Sequence, residues 1–411
     1  MNDLNQTTKG MRTCIAFLGR RNAGKSSLIN ALVGFDLAIV SDIAGTTTDP
    51  VDKAVEISPL GPCLVIDTAG IDDTGELGQM RIKKTEQVID DADVGLIIIG
   101  DGKWTEYEEK ILKLLTQKGK PVIAIINKKD LNLHTELEKT LKAKNIEYVL
   151  TSALKKEGID ALKEKLRQLK NMSKLEEPAL IGDIIKGGDL VVLVVPIDLG
   201  APKGRLILPQ VQTIRDIIDN DAAALVVKER ELASTLEKIN YQTRLVITDS
   251  QVVLKVAGDV PDSIPLTTFS ILFSRFKGDL DTMVLGAKAI EKLDHGDKVL
   301  IAEACTHHAL ADDIGRVKIP RWLTRYTGKE LHFDTAAGPN FPENLEDYKL
   351  IIQCGGCTIT RRAYLNRIEK ARAHNIPITN YGIAISYVQG VLERTIKPFP
   401  EVTDILEDNV L

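Results

Sequence analysis

Short apolar runs alternate with longer polar stretches through residues 11–171 of the chain. The apolar runs CIAFLG, LVIDT, VGLIII, VIAIIN and EYVLTS have the length and content of buried strands. The stretch after Lys25 and the segments MRIKKTEQVIDD and IDALKEKLRQLKN are typical of helices. Strands that alternate with helices in this way predict a parallel sheet with helices on both faces.

The alternation continues beyond a polar segment, NMSKLEEPA, which contains Pro178 and is typical of a linker. Residues 180–262 include LVVLVVPI, ALVVK and LVITDS as strands and VQTIRDIIDN as a helix. Pro261 and Pro265 indicate a second boundary, after which KVLIAEAC, YKLIIQC and IPITNYG predict strands and RRAYLNRIEKARAHN predicts a helix. We therefore predict an α/β protein with three domains, at 1–172, 180–262 and 263–411.

Composition and charge limit the classes of protein to which the chain can belong. Apolar residues make up 44% of the 411 positions, and no run of about 18 apolar residues that could cross a membrane occurs. The formal net charge of −5 argues against binding nucleic acid through bulk basic charge. Five cysteines and a polar start without an apolar signal core favour the reducing cytoplasm. Cys14 and Cys63 lie within apolar runs, and we interpret them as strand-core residues.

A phosphate-binding motif lies between the first strand and the first helix. GRRNAGKS at 19–26 fits G-x-x-x-x-G-K-[ST] in the strand-to-helix context that this motif needs. Gly19 and Gly24 let the backbone curl so that its N–H groups face phosphate oxygens. Lys25 can reach the β- and γ-phosphates, and Ser26 can ligate Mg²⁺.

Three further motifs follow in the order expected of a GTP site. DTAG places Asp67 to hold Mg²⁺ through water and the Gly70 N–H to face the γ-phosphate, while GTTTD offers Thr47 to Mg²⁺. In NKKD, the Asp130 carboxylate can accept two hydrogen bonds from guanine, and adenine lacks both donors. SAL at 152–154 closes the base pocket. The predicted nucleotide contacts are Gly19, Asn22, Ala23, Gly24, Lys25, Ser26, Ser27, Thr46, Thr47, Asp67, Gly70, Asn127, Lys128, Asp130, Ser152 and Ala153.

The catalytic machinery predicted for GTP hydrolysis is sparse. Lys25, Thr47 and Gly70 are the candidates, because Ile71 stands where Ras-like enzymes have a glutamine that orients water. In this the chain resembles the TrmE–Era–EngA group of GTPases. In potassium-activated members of that group, an Asn of the phosphate loop and the GTT loop bind K⁺, and Asn22 matches that position. Thr48 replaces the arginine with which the family motif often continues.

A cysteine site is predicted in the last third of the chain. Cys305 follows one predicted strand, and Cys354 and Cys357 follow another as CGGC. Since parallel strands end at one edge of a sheet, the three thiols can meet there. With His307 or His308 they could form a structural zinc site, with an exchangeable fourth ligand an iron–sulfur site, or CGGC alone could be a redox motif. A fourth ligand could also be water, Glu303 or Asp312.

The whole chain resembles the HydF family, the GTPase maturation factors of di-iron (FeFe) hydrogenase. The resemblance rests on the potassium-type G domain followed by C-x-H, 46 residues and C-x-x-C, here Cys305, His307, Cys354 and Cys357. It implies a GTPase domain at 1–172, a dimerisation domain at 180–262 and a cluster-binding domain at 263–411. It further implies a scaffold that uses GTP, Mg²⁺ and K⁺ and binds a 4Fe-4S cluster. Such a scaffold carries a transient di-iron subcluster precursor from two radical-SAM enzymes to apo-hydrogenase.

The main alternative is a ribosome- or tRNA-directed GTPase of the Era or TrmE kind with a structural zinc. The acidic balance and the lack of a recognisable RNA-binding tail count against it. We therefore predict a homodimeric cytoplasmic protein whose partners include neither nucleic acid nor membrane.

Overall fold

The computed structural model describes residues 12–34, 51–67, 85–131, 135–172, 179–196, 206–304, 313–338, 341–342, 344–357 and 359–402. The described residues form two compact units, one before residue 177 and one after it. In this part of the chain, no helix is both long and apolar enough to cross a membrane.

The first unit is a six-stranded sheet in the order β2-β3-β1-β4-β5-β6. Its strands are β1 (Thr13–Leu18), β2 (Val51–Ile57), β3 (Gly61–Asp67), β4 (Val94–Ile99), β5 (Val122–Ile126) and β6 (Tyr148–Leu150). Its helices are α1 (Lys25–Val33), α2 (Glu106–Gln117), α3 (Thr135–Ala143) and α4 (Ile159–Met172), and 85–91 are also helical. Neighbouring strands are parallel except for the pair β2–β3. The prediction of an α/β fold is thereby confirmed, with one antiparallel edge strand added.

The two faces of this sheet explain why its central strands, such as β1 and β4, are continuously apolar. Along β1, Ile15 and Phe17 join one hydrophobic core, while Ala16 and Leu18 join the core on the opposite face. Because both faces of the sheet are buried in a core, apolar residues are favoured at every position of these strands. The sheet therefore holds the carboxyl ends of β1 and its neighbours rigidly, and the motif loops follow these ends.

The second unit contains two parallel four-stranded sheets, in the orders β10-β9-β7-β8 and β12-β11-β13-β14. The strands of the first are β7 (Leu190–Val194), β8 (Ala223–Val227), β9 (Leu245–Thr248) and β10 (Leu266–Thr268). Those of the second are β11 (Lys298–Glu303), β12 (His332–Ala337), β13 (Leu350–Gln353) and β14 (Ile378–Asn380). The helices are α5 (Leu208–Asp219), α6 (Leu232–Lys238), α7 (Val253–Asp259), α8 (Phe269–Lys277), α9 (Leu280–Lys288), α10 (Ile319–Thr327), α11 (Arg361–Ala373), α12 (Tyr381–Val388) and α13 (Leu392–Ile396).

The sheet of the middle segment extends beyond residue 262, where the sequence analysis placed a domain boundary. Strand β10 pairs in parallel with β9 and lies after Pro261 and Pro265. The Pro261 carbonyl accepts the Ile264 N–H at 3.0 Å, so the two prolines belong to the turn between α7 and β10. One continuous hydrophobic core includes Leu193 of β7 and Leu300 of β11. The three-domain division stays a prediction, and its second boundary at 262 falls within a sheet.

The helix that follows CGGC begins slightly later than the sequence analysis placed it. We expected it to start near Thr358, but α11 starts at Arg361. The Thr360 side chain accepts the N–H of Ala363 at 3.1 Å and so caps the helix.

Candidate functional site

The loop between β1 and α1 closes around the side chain of Lys25. This side chain is buried, and its Nζ donates hydrogen bonds to the carbonyl oxygens of Gly19 at 2.7 Å and Arg20 at 3.1 Å. Gly24 and Asn22 take up left-handed conformations, with φ of 90° and 61°. The loop is therefore curled tightly, and it fixes the lysine ammonium at the start of α1.

Close backbone approaches require both motif glycines. A Cβ at Gly19 would stand 2.5 Å from the Ile98 carbonyl oxygen, and one at Gly24 would stand 2.3 Å from Nδ2 of Asn127. That Nδ2 donates to the Ala23 carbonyl at 3.0 Å, and Lys128 Nζ donates to the Asn22 carbonyl. The NKKD segment is thus tied directly to the phosphate loop.

Two of the predicted magnesium-site residues lie side by side. Ser26 Oγ donates a hydrogen bond to Asp67 Oδ2 at 3.1 Å, joining the start of α1 to the end of β3. Burial raises the pKa of the Asp67 carboxyl, while the nearby charge of Lys25 and the bond from Ser26 counteract that rise. Thr46, Thr47 and Gly70 lie outside the described residues, as does Ile71.

The predicted base pocket brings two distant motifs together. Ser152 Oγ donates to Asp130 Oδ1 at 2.6 Å, and this bond lowers the pKa of the Asp130 carboxyl. The Ala153 N–H donates to Asn127 Oδ1 at 3.1 Å, so Asn127 contacts the phosphate loop and the SAL segment with its two ends. Asp130 is therefore held ionised and oriented, as an acceptor for guanine must be.

An ion-pair network around Arg20 was not expected from the sequence. Arg20 pairs with Asp101 at 2.7 Å and with the buried Glu108 of α2 at 2.8 Å. It also donates to the Lys103 carbonyl at 2.9 Å. These contacts anchor the phosphate loop to the start of α2 and commit the Arg20 guanidinium to carboxylates. The only sequence signal was the capping box that begins at Thr105, which indicates the position of Glu108 but not its partner.

The two described cysteines of the predicted cluster site lie just beyond the carboxyl end of β13, in the second sheet of the second unit. β11 and β13 are neighbours, and the Ala304 N–H, just before Cys305, donates to Cys354 Sγ at 3.1 Å. Cys354 and Cys357 are partly exposed, whereas Cys14 and Cys63 are fully buried in β1 and β3. Chain adjacent to Cys305 therefore contacts the CGGC loop directly.

Two of the predicted ligands of this site, Cys305 and His307, lie outside the described residues. Within the described ranges, no group of three His, Cys, Asp or Glu side chains is arranged to hold a metal ion. Glu303, an alternative fourth ligand, is buried and bonded through both carboxylate oxygens to Arg316, at 3.2 and 2.7 Å. This pairing leaves Glu303 poorly suited to bind a metal.

A buried lysine supports the loop that carries the cysteines. Lys277 is the last residue of α8, and its Nζ donates to the carbonyl oxygens of Gly356 at 2.6 Å and Ile359 at 3.4 Å. Burial lowers the pKa of Lys277 to about 8, and the charges of Cys357 and Cys354 act in the opposite direction. Gly356 has a φ of 61°, a conformation that glycine adopts readily.

Comparison with known proteins defines the class of the first unit. Residues 14–128 match the family model described as 50S ribosome-binding GTPase. The tRNA modification GTPase MnmE of Clostridioides difficile is 37% identical over 163 residues, which is 39% of this chain and 35% of that protein. MnmE of Bacillus velezensis is 38% identical over 164 residues, again 39% and 35%. The chain thus spans about a third of the length of these relatives.

Solved structures align with the chain over part of its length and with low TM-scores. Aquifex aeolicus Era bound to GDP and aluminium fluoride aligns at 23% identity with a TM-score of 0.35, covering 56% of this chain and 99% of that one. The G domain of the T. maritima FeoB protein aligns at 25% identity with a TM-score of 0.31, covering 39% and 99%. With the family match and the phosphate loop described above, the first unit defines a P-loop GTPase.

The second unit defines the family. Residues 180–278 match the Hydrogen maturase F dimerization domain, and residues 281–398 match the Hydrogen maturase F tetramerization domain. The chain belongs to the Hydrogen maturase F (HydF) family of GTPases. The two matched segments meet between residues 278 and 281, after β10 of one sheet and before β11 of the other.

Proposed function

We propose that this protein is a GTP-hydrolysing scaffold in the maturation of FeFe-hydrogenase. In this proposal GTP occupies the site around Lys25 and Asp130, with Mg²⁺ held by Ser26 and Thr47 and with K⁺ near Asn22. A 4Fe-4S cluster is held by the thiolates of Cys305, Cys354 and Cys357. Membership of the HydF family supports the role in hydrogenase maturation.

The contact between Ala304 and Cys354 is the observation that carries the cluster assignment. The N–H···S bond of 3.1 Å directs a backbone donor at the sulfur of Cys354 and holds the chain next to Cys305 against the CGGC loop. The buried Lys277 ammonium adds positive charge beneath the same loop. When bound by three thiolates, a cluster supplies one iron position without a thiolate ligand, where a cargo ligand can bind and leave.

The partners that we propose follow from family membership. The cargo is the di-iron subcluster precursor with its CO, CN⁻ and dithiolate ligands. Two radical-SAM enzymes supply it, and apo-hydrogenase receives it. The dimerization and tetramerization domains support an oligomeric protein, and we propose a homodimer as its basic form.

Anaerobic reconstitution with iron and sulfide tests the proposal. The protein should turn brown and bind iron and sulfide in the amounts of one 4Fe-4S cluster per chain. The loaded protein, after incubation with the two radical-SAM enzymes, should activate purified apo-hydrogenase. If the isolated chain instead keeps stoichiometric zinc and takes up no iron, the Era- or TrmE-like alternative with a structural zinc is favoured.

A further inference from the structure

The ammonium group of Lys277 is buried beneath the CGGC loop. Its residue is only 1% exposed, and Nζ donates to the carbonyl oxygens of Gly356 and Ile359, which flank Cys357 in the chain. Cys354 and Cys357 supply the charges that favour its protonated form. The thiol loop therefore lies against a buried positive charge.

Burial of an ammonium group is costly unless negative charge accompanies it. Carbonyl oxygens compensate part of this cost, but they carry no net charge. Another cation of the same unit, Arg316, forms a bidentate pair with Glu303 and is neutralised by it. Lys277, in contrast, has its hydrogen bonds directed at the loop of the two cysteines. An anionic metal–thiolate group at these cysteines would supply the missing charge.

We propose that Lys277 is a positioning residue that stabilises the reduced state of the iron–sulfur cluster. This inference rests on the proposed function. Reduction by an external one-electron donor adds one negative charge to the cluster while the thiolates stay bound. A fixed cation a few bonds from the sulfurs favours that added charge, because solvent screens the buried Lys277 ammonium only weakly. Lys277 thereby raises the reduction potential and also holds the loop through Gly356.

Three substitutions separate the charge of Lys277 from its hydrogen bonds. Lys277→Gln keeps an N–H donor without the charge, and Lys277→Met removes both. Lys277→Arg keeps the charge. Lys120 offers a matched control, because it is also a buried lysine that donates to backbone carbonyls, those of Asp90 and Ala92, but it lies in the first unit.

The experiment is a redox titration of the reconstituted full-length protein, followed by EPR, with iron and sulfide measured in the same samples. Lys277→Gln should bind iron near the wild-type level and shift the midpoint potential to a more negative value. Lys277→Arg should restore the potential toward that of the wild type, and Lys120→Gln should leave it unchanged. Lys277→Met should also lose cluster.

A wild-type potential in Lys277→Gln would overturn the inference while leaving the proposed function intact. A wild-type chain that binds no iron–sulfur cluster would instead overturn both. If Lys277→Gln folds but retains no cluster, the rates at which Cys354 and Cys357 are alkylated in the cluster-free protein decide whether the inference holds. Several-fold slower alkylation than in the wild type at equal pH supports the buried charge, and an equal rate contradicts it.

Discussion

Single side chains join the separate motifs of the nucleotide site. Asn127 is buried, donates to the Ala23 carbonyl at 3.0 Å and accepts from the Ala153 N–H at 3.1 Å. Ser152 holds the carboxylate of Asp130 at 2.6 Å. The phosphate loop and the predicted base pocket are therefore joined through Asn127, and we expect a nucleotide to meet a preformed frame at both ends.

Asp130→Asn should exchange the base preference of the site. The carboxylate accepts two guanine donors, and an amide presents its own donor to one of them. We expect GTP affinity to fall by about 10- to 100-fold, with a gain for xanthosine triphosphate. Equilibrium binding of the two nucleotides measures the change. Asp160→Asn, at an exposed position of α4, should change neither affinity, and ATP competing equally with GTP in the wild type would refute the base-pocket assignment.

Potassium activation should depend on the side chain of Asn22. Asn22 has a φ of 61°, so the alternative to K⁺ binding is a purely conformational role in the turn, which glycine would fill equally well. We expect GTP hydrolysis to rise several-fold when K⁺ replaces Na⁺. Both Asn22→Gly and Asn22→Ala should abolish that difference. Potassium activation that survives in Asn22→Gly would assign Asn22 to the turn alone.

At the residue scale, the motif side chains could be predicted because each belongs to a short consecutive pattern that is typical of nucleotide-binding loops. The contacts that support them could not. Arg20 and Glu108 are 88 positions apart, and Lys277 and Gly356 are 79 apart. Such pairs depend on how helices pack against the sheet. The sequence around Lys277 or Arg20 therefore does not indicate which distant residue each side chain contacts. The role of Thr47 as a Mg²⁺ ligand and that of Cys305 as a cluster ligand stay predictions.

Among the elements, β8 has an unusual exposure. It lies at the edge of its sheet, and β7 is its one neighbour among the described strands. Val226 is 42% exposed, and Ile218 and Tyr241 nearby in sequence are also exposed. An apolar edge strand invites pairing with another strand. In a chain that carries a dimerization domain at 180–278, we expect a second copy to pair here.

Val226→Pro should weaken self-association without damage to the sheet. The Ala223 N–H and the Val227 carbonyl bond to the β7 side, so in a parallel ladder the Val226 N–H points to the open edge. Proline removes that donor, and the mass measured by light scattering should fall by half. Val226→Thr retains the N–H and should keep the wild-type mass. An unchanged mass in Val226→Pro, with wild-type circular dichroism, would exclude this edge as the interface.

The strands that were predicted correctly are those with continuous apolar sequences, and in most of them, such as β1 and β4, both faces are buried. β2 was missed: VDKAVEI mixes charged and apolar residues, as expected of an edge strand. β10 was missed because its three residues, which directly follow Pro265, carry no periodic signal. The end of the middle sheet was misplaced for that reason.

For the whole molecule, the nucleotide site and the cysteine site belong to different compact units. Lys25 contacts the loop before α1, whereas Cys354 contacts the chain after β11. The contacts described for either site stay within its own unit. Each site should therefore assemble without the other.

Lys25→Ala in the full-length chain should lower GTP hydrolysis by about 100-fold or more, because it removes the cation at the phosphates. Bound iron and sulfide should stay at the wild-type level. The reciprocal variant, Cys354→Ala, should lose iron but keep wild-type GTP affinity. Loss of cluster absorption in Lys25→Ala, with the fold retained, would show that the two sites do not assemble independently.

The central claim is that a GTPase of this family carries an iron–sulfur cluster on Cys305, Cys354 and Cys357. Iron and sulfide content after anaerobic reconstitution of single alanine variants tests it most directly. Each of these three substitutions should abolish or severely reduce both. Cys14→Ala and Cys63→Ala should retain both and lose about 1 kcal/mol of stability at most, the cost of removing one small buried group. Wild-type iron and sulfide in any of the three variants would contradict the account.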